Sequence, residues 1–385
     1  MNEAQQRFRD PVEVMSGFSE VDIPSGSLRF SVTEGFAGIL ERLGITLLLT
    51  REYEHIVMAL TVEKGRFVQS FVTLPHPSGL VVNRKRNVVF IASTRNPNQI
   101  WEFRPTSGYL DRVDAPGNGK EESYLMPSRV KYSPGAYYIH ELALIDGKLY
   151  ANSVGQNGII RVDLTHGSSD ELVWWPKCVE NTKGKPDTRA NYLQLNSIAA
   201  GKSIDDSFYT ASSSGISRRR PGHLNYAVDK RGVVFSGRTR EVYAMGLTRP
   251  HSARLDQGRV WVDNSGYGEV GYVENGTFVP FVRLPGWTRG LAIIGRVLFV
   301  GVSKVLDRFR QYAPGLKGKT QVCGVYAVDK QTGRILGSIV WPGGNQIFAV
   351  DAIDSGVTKG FLHRDSRRTT KSQKDIFYRY LLNSA

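Results

Sequence analysis

Three residues with useful chemistry open three copies of one sequence phrase. HELALIDGKLYANS begins at His140, HSARLDQGRVWVDNSG begins at His251, and RGLAIIGRVLFVGVS begins at Arg289. An imidazole can take up or release a proton near neutral pH, and a guanidinium can hold a carboxylate or phosphate through two parallel hydrogen bonds. If the fold brings these three side chains together, they predict acid–base catalysis on an anionic substrate.

Aligning the related phrases on their small apolar residue pair gives a common register. The residues two places before each pair are Ser78, His140, Asn196, His251, Arg289 and Phe348. They lie roughly 40–60 residues apart, so only a repeating fold would bring them together. From this register we predict catalytic roles for His140, His251 and Arg289. The residues predicted to bind substrate are Asn196, Ser252, Arg254, Glu141, Ser78 and His76.

Two other interpretations of these side chains stay open. Polar residues at these positions could instead hydrogen-bond one another and line a water-filled channel. Two or three imidazoles could also hold a divalent metal at the channel axis. The spacing identifies no complete set of metal ligands, so the sequence predicts no firm cofactor.

The repeated phrases also indicate the elements that must position these residues. Each phrase is a β-rich run, a tight turn and a second β-rich run, and a further phrase, YAVDK, occurs at Tyr226 and again at Tyr326. Four short strands in roughly 40–50 residues make one blade of a β-propeller, whose first strands line a central channel. We therefore predict an all-β, six-bladed β-propeller, with seven blades as the alternative if the N-terminal arm contributes strands.

The predicted propeller is one domain, at 35–356, with an extension at each end. Residues 1–34 form an N-terminal arm, a short helix is expected at 36–44, and a Gly-, Pro- and Ser-rich insertion occupies 114–136. The strand IFAVDAIDSG, from Ile347, has no blade after it. It should complete the first blade and close the ring, because a propeller leaves no open sheet edge. Residues 357–385 are predicted to form a basic C-terminal tail with a short docking segment.

The net charge is +14, and much of the excess lies in clusters at 84–86, 218–220 and 364–374. These clusters are not interleaved with aromatic residues as in single-strand binders, so we predict no nucleic-acid partner. No apolar run approaches the ~18–20 residues of a membrane span, and the N-terminus has no apolar signal segment. We therefore expect a cytoplasmic protein with no membrane partner and with Cys178 and Cys323 reduced. The oligomeric state is left open.

The longest motifs resemble a known family. IHELALIDGKLYANS, RPHSARLDQGRVWVDNSGYGEV and LPGWTRGLAIIGRVLFVGVSK are similar to stretches of an uncharacterised bacterial family that carries only a domain-of-unknown-function label. The resemblance covers about Phe36 to Gly356 and implies a six-bladed propeller. The matching positions are His140, Asn196, His251, Ser252, Arg254, Ser265, Gly266, Arg289 and Gly290. The chain departs from the family pattern at Glu141 and Asn264, where the family has Asp, and at Gln194, where it has His.

Two functions are consistent with the predicted fold and site. In the first, the protein is an enzyme that acts on a small polar or anionic metabolite, or on a modified peptide, in the central channel by histidine acid–base chemistry. A lyase, isomerase or hydrolase of biosynthetic metabolism is expected by analogy with other six-bladed propellers. In the second, the protein is a non-catalytic binding or scaffold propeller that contacts a partner through its rim loops, including 114–136 and Arg218–Arg220.

Overall fold

The computed structural model describes residues 26–95, 98–114, 122–165, 169–223, 226–364 and 378–381. Most regular structure in these ranges is β-strand. The first part contains, in chain order, β1 (Ser31–Val32), α1 (Glu34–Leu43), β2 (Ile45–Arg51), β3 (Ile56–Glu63), β4 (Arg66–Thr73), β5 (Pro77–Asn83), β6 (Val88–Ser93), β7 (Asn98–Pro105), β8 (Leu125–Ser133), β9 (Leu142–Ile145), β10 (Lys148–Ser153), β11 (Gly158–Arg161) and β12 (Glu171–Trp174). The second part contains β13 (Leu195–Ala199), β14 (Phe208–Ala211), β15 (Gly232–Ser236), β16 (Val242–Leu247), β17 (Pro250–Asp256), β18 (Arg259–Asn264), β19 (Glu269–Glu274), β20 (Thr277–Arg283), β21 (Trp287–Ile294), β22 (Val297–Ser303), β23 (Gly324–Asp329), β24 (Ile335–Val340), β25 (Ala349–Asp354) and β26 (His363–Arg364). Short 3-10 helices lie at Glu52–Glu54, Lys177–Val179, Ser265–Tyr267, Asp307–Tyr312 and Pro314–Leu316.

The sheets are built mainly from runs of four strands, each antiparallel to its neighbour. The strand orders are β25-β2-β3-β4-β26, β5-β6-β7-β8, β9-β10-β11-β12, β13-β14-β15-β16-β20-β19-β18-β17, and β21-β22-β23-β24-β1. The eight-stranded sheet consists of two four-strand runs that meet at one parallel residue pair, Met245 with Thr277.

The first strands of these runs surround the middle of a ring. β5 contacts β9, β9 contacts β13, β13 contacts β17, β17 contacts β21, β21 contacts β25, and β25 contacts β5 again. Apolar side chains fill the space between neighbouring sheets, as Leu80, Val89 and Ile353 do between the sheets of β5 and β25. The prediction of an all-β, propeller-like arrangement is therefore confirmed.

The ring is closed by pairing β2, from the N-terminal part of the chain, with β25, from the C-terminal part, in one sheet. β25 is antiparallel to β2, with Ile45 opposite Asp354 at one end and Thr50 opposite Ala349 at the other. Val350 is fully buried in the pairing. The prediction that the strand after Ile347 completes the first sheet is confirmed.

α1 lies over the closure and packs on both β24 and β3. It begins two residues earlier than predicted because the Thr33 side chain accepts a hydrogen bond from Phe36 N, at 3.3 Å, and so caps the first turn. It ends at Gly44, whose φ of 61° lies in the left-handed region that glycine adopts without strain. The buried side chains of Phe36 and Leu40 attach the helix to the core.

A polar side chain fastens each four-strand run to the next at six junctions around the ring. In each, a side chain donates a hydrogen bond of 2.6–3.1 Å to a backbone carbonyl at or just before the first strand of the following run. The donor and acceptor residues are Thr50 and Ser78, Ser78 and Ile139, Asn152 and Leu195, Asn196 and Pro250, Ser265 and Thr288, and Ser303 and Ile347. Small polar residues at these positions therefore have a structural role in every junction.

Two features of the fold differ from the sequence interpretation. The segment 114–136 is not a continuous insertion, because β8 pairs with β7 as the outer strand of its sheet, and residues 115–121 lie outside the described residues. Pro127 lies opposite Phe103, beside a bulge, where the absence of a proline N–H is tolerated. The first YAVDK phrase is not a strand, since β15 starts after it, at Gly232, whereas the second forms most of β23.

Packed residues extend past the predicted domain limits of 35 and 356. β1 pairs with β24, and Phe361 is 1% exposed, with its ring 5.7 Å from that of Phe103. Of the docking segment, Tyr378–Leu381 is described, and Arg379 O accepts a hydrogen bond of 2.6 Å from Leu110 N. Residues 1–25 of the arm and residues 365–377 and 382–385 of the tail lie outside the described residues.

Candidate functional site

A pocket opens at the end of the ring where the first strands begin. It encloses about 160 Å³, a little more than a cavity of roughly 150 Å³ that accepts benzene. Its ionisable lining includes Glu52, Arg95, His140, Arg249, His251 and Arg289. Its aromatic lining consists of Tyr53, Trp287, Phe309, Tyr312 and Phe348. The three residues predicted to be catalytic, His140, His251 and Arg289, therefore lie in the same pocket.

His251, on β17, is held in one orientation. Its Nδ1 lies 2.8 Å from Arg249 O and 2.9 Å from Ser265 Oγ. Ser265 donates its own hydroxyl proton to Thr288 O, at 2.6 Å, and a carbonyl can only accept. The proton of the neutral imidazole must therefore sit on Nδ1, which leaves the lone pair on Nε2. Both hydrogen bonds of the His251 ring within the described residues are made by Nδ1, and none is made by Nε2.

His140, just before β9, is half-buried, and its ring lies 5.6 Å from that of Phe348. Its Nδ1 is buried and has no hydrogen-bond partner among the described residues. Burial lowers the pKa of His140 and of His251 well below the ordinary value, and the charges of Arg289 and Arg249 lower both further. The Asn196 side chain opposes the shift in the pKa of His140. Both imidazoles are therefore neutral at neutral pH.

Two buried arginines give the pocket its positive charge. Arg289 stacks on Phe348, with Cζ 3.2 Å from the ring centroid, and Arg249 stacks on Tyr312 at 4.3 Å. Within the described residues, Arg289 Nη2 and Arg249 Nε are buried without a hydrogen-bond partner. Burial lowers the pKa of each to about 10, so both remain cationic at neutral pH.

The carboxylate of Glu52 does not neutralise this pair. Its Oε1 accepts a hydrogen bond of 2.5 Å from Thr94 Oγ1 and lies 3.9 Å from Arg95 Nη2. Arg95 and Lys304 also line the pocket, so the cations outnumber the carboxylate. Burial and the Glu52 charge raise the pKa of neighbouring Tyr53 to about 12, which keeps its phenol protonated. The pocket suits a small anion that also has an apolar surface.

The six residues predicted to bind substrate do not line this pocket. Ser78 and Asn196 form two of the junction hydrogen bonds. Ser252 Oγ accepts a separate hydrogen bond of 2.7 Å from Gly290 N. The His76 ring packs at 4.3 Å against that of His55, and burial lowers the pKa of His76 to about 2.

Glu141 and Arg254 form an ion pair outside the pocket, with Arg254 Nη1 3.3 Å from Glu141 Oε2. Burial raises the pKa of Glu141, and Arg254 opposes that shift. Asp263 lies in the same region and is fully buried, and neither of its oxygens has a hydrogen-bond partner among the described residues. A second group of ionisable side chains therefore lies outside the pocket, and Glu141 and Asp263 are its buried members.

A repeated irregularity explains why strand alternation misplaced Ser252 and Arg254. β5, β13, β17 and β21 each shift register close to the position used for the alignment. A bulge adds one residue and turns the following side chains to a different direction. Ser252, at a φ of 53°, and Gly290, at 90°, lie in these shifts. The register therefore places His251 and Arg289 correctly but not the residues after them.

Several residues that line the pocket were not predicted from the sequence. Arg249 and Trp287 lie two places before His251 and Arg289, so the same alternation could have found them. Tyr53 and Arg95 follow the second strands of their runs, and no repeated motif marks them.

Asp263 makes the stability of the protein depend on pH. Burial raises its pKa well above the ordinary 3.8. Between the two values the folded state keeps a proton that the unfolded chain has lost, so the free energy of unfolding falls as pH rises, by up to about 1.4 kcal/mol per pH unit. We expect Asp263→Asn to reduce this slope in denaturant melts from about pH 4 upward. The exposed Asp307→Asn is the control, and an equal slope in both variants would contradict the assignment.

Among the described residues, no group of three or more His, Cys, Asp or Glu side chains could hold a metal ion. The axial divalent metal considered from the sequence thus lacks a ligand set there, and no step is assigned to it. None of the helices in the described residues combines the length and apolar character needed to span a membrane.

The family model of a domain of unknown function, DUF4915, matches residues 34–360. The chain belongs to the DUF4915 family. This confirms the resemblance seen in the motifs, and the match spans the ring from α1 to the segment after β25. None of the curated proteins matches the chain.

Solved structures are similar to this DUF4915 chain in fold. A chain of the nidogen/laminin complex has 10% identity and a TM-score of 0.51, over 81% of this chain and 99% of that one. A gluconolactonase from Xanthomonas campestris has 14% identity and a TM-score of 0.44, over 78% and 86%. A putative 6-phosphogluconolactonase from Bacteroides uniformis has 14% identity and a TM-score of 0.43, over 80% and 99%. At these identities the similarity concerns the fold alone.

Proposed function

We propose that the pocket binds a small anionic or polar metabolite, or the modified end of a peptide, and that His251 and His140 transfer protons on it. The protein would then be a lyase, isomerase or hydrolase. The observation that carries the proposal is the orientation of His251: with Nδ1 bonded to Arg249 O, its basic Nε2 is left without a partner in a pocket that also holds Arg289.

Anion binding and proton transfer are linked in this arrangement. The charges of Arg289 and Arg249 help to lower the pKa of both histidines. A bound carboxylate or phosphate would offset those charges, and so raise the pKa of each imidazole toward the range where acid–base catalysis is efficient. An anionic substrate would therefore activate the histidines that act on it.

The roles of the side chains follow from their positions. Arg289 Nη2 and Arg249 Nε have unused donors and would hold the anionic group. The Nε2 lone pair of His251 would accept a proton from the substrate or from an attacking water. His140, protonated once the bound anion has raised its pKa, would donate a proton to the leaving group or to the neighbouring carbon. The aromatic walls would hold the uncharged part of the substrate.

We further infer that the ring has six blades. The six first strands contact one another in a closed cycle, and the eight-stranded sheet divides into two four-strand runs at its single parallel pair. Six four-strand runs then surround the pocket.

Replacing Arg289 should weaken anion binding. We expect Arg289→Met to bind a small carboxylate or phosphate ester about 10- to 100-fold less tightly than the wild type, because a hydrogen bond to a charged group is worth about 1.5–3 kcal/mol. The measurement is a titration, followed by NMR, with a panel of small carboxylates and phosphate esters. Arg259→Met is the control, since Arg259 stacks on Tyr272 at 4.1 Å outside the pocket. Equal affinities in the two variants, or no binding by the wild type, would count against the proposed site.

A further inference from the structure

The positive charge of the protein is concentrated in three loops. Residues 181–194 have a net charge of +2, and residues 212–231 and 304–323 have +4 each. Together these 54 residues carry +10 of the total of +14, which leaves +4 for the other 331. The basic clusters at 84–86 and 364–374 fall among those 331 residues, where acidic residues largely offset them, so the three loops hold most of the net charge.

All three loops lie at the pocket end of the ring. The loop 181–194 leads into the first strand β13, and the other two follow the second strands β14 and β22. Arg220 Nη1 donates a hydrogen bond of 3.1 Å to Asn191 O, which joins the first loop to the second. Tyr226 and Tyr312 pack in one apolar cluster, which joins the second to the third. The loops thus form one continuous surface beside the pocket.

Most of these charges are available to a partner. Lys183, Lys185, Arg218, Arg219, Lys317 and Lys319 are exposed, and none forms an ion pair within the described residues. Within the loops, Asp187 pairs with Arg189 and Asp307 with Arg310, but the cations outnumber these counter-ions. Such an excess of like charge repels itself and attracts an oppositely charged molecule.

We propose that this surface, the three loops beside the pocket, docks an acidic polypeptide segment. Charge complementarity identifies the partner as polyanionic. Single-stranded nucleic acid is disfavoured because the stacking of its bases needs exposed aromatic rings. On the described part of these loops, Ile216 is the only large apolar side chain that is exposed. A bilayer is disfavoured as the partner for the same reason, because one exposed apolar side chain buries too little apolar area on insertion. The proposal does not depend on chemistry in the pocket.

The test measures binding of a fluorescent peptide of about 12 glutamates, which spans about 40 Å when extended. Binding is followed by fluorescence anisotropy with the whole chain. We expect it to weaken steeply between about 0.05 M and about 0.5 M salt. Thermal melts verify that each variant remains folded.

Two matched variants locate the binding surface. We expect Arg218→Glu, Arg219→Glu, Lys317→Glu and Lys319→Glu together to weaken binding at least about tenfold. The control combines Lys85→Glu, Arg86→Glu, Lys148→Glu and Lys202→Glu, which are exposed residues in or beside the turns at the opposite end and change the net charge equally. It should keep the affinity within about twofold. Equal loss in both variants, or tighter binding of single-stranded DNA or of anionic vesicles than of the peptide, would overturn the proposal.

Discussion

A chain that ends at Gly344, before β25, is expected not to form a stable ring. β25 is the innermost strand of its sheet and contacts β5 and β21 on either side. Its loss would also remove the buried side chains of Ile347 and Phe348, which precede it. Each such side chain contributes about 1.5–3 kcal/mol, and a backbone group of β2 left buried without a partner costs about 1–3 kcal/mol. A total stability of roughly 5–15 kcal/mol does not withstand these losses.

The control for this truncation is a chain that ends at Arg364. It keeps β25, the buried Phe361 and β26, and of the segment that it removes the described residues, 378–381, belong to none of the named strands. Thermal melts by circular dichroism and size-exclusion chromatography would compare the two chains. We expect a cooperative transition for the longer chain only. A soluble, cooperative protein ending at Gly344 would show that the ring closes without β25.

The second large effect is expected at His251. His251→Asn keeps a side-chain N–H close to the position of Nδ1, where it can still donate to Arg249 O, but it removes Nε2. Loss of a general base typically lowers the rate about 10²- to 10⁴-fold, and we expect kcat to fall within that range. Because burial and the two arginines lower the pKa of His251 well below 6.5, the acid limb of kcat/KM in the wild type should also lie well below pH 6.5.

The substrate for this measurement would come from a panel of small carboxylates, lactones and phosphate esters. His140→Gln tests the second imidazole, and His223→Gln, at an exposed position outside the pocket, is the control. Thermal melts separate loss of chemistry from loss of folding. Wild-type turnover in both His251→Asn and His140→Gln would remove the histidines from the mechanism.

The features that could be predicted from the sequence are those that the repeat encodes. The phrases that open at His140, His251 and Arg289 gave the register of three first strands, and these residues share the pocket. The strand after Ile347 could be assigned because it had no other partner. DUF4915 membership agrees with both inferences.

The features that could not be predicted depend on local backbone geometry or on tertiary contacts. A bulge such as that at Ser252 leaves no signature in hydrophobic alternation, so Ser252 and Arg254 were assigned to the wrong environment. β8 was missed because Pro127 and the adjacent Ser128 are typical of a loop. Tyr53 reaches the pocket only through the closure of β2 on β25, which is a property of the whole ring.

The six junction hydrogen bonds determine how the molecule should come apart. In an open array of repeats, a terminal unit can fray while the rest stays folded, because it has a neighbour on one side only. Here the junction from Ser303 to Ile347 gives the last run a partner on both sides. A single blade therefore cannot open without breaking two junctions and two apolar contacts at once. Unfolding should be a single all-or-none transition, and the slowest-exchanging amides should be spread evenly around the ring.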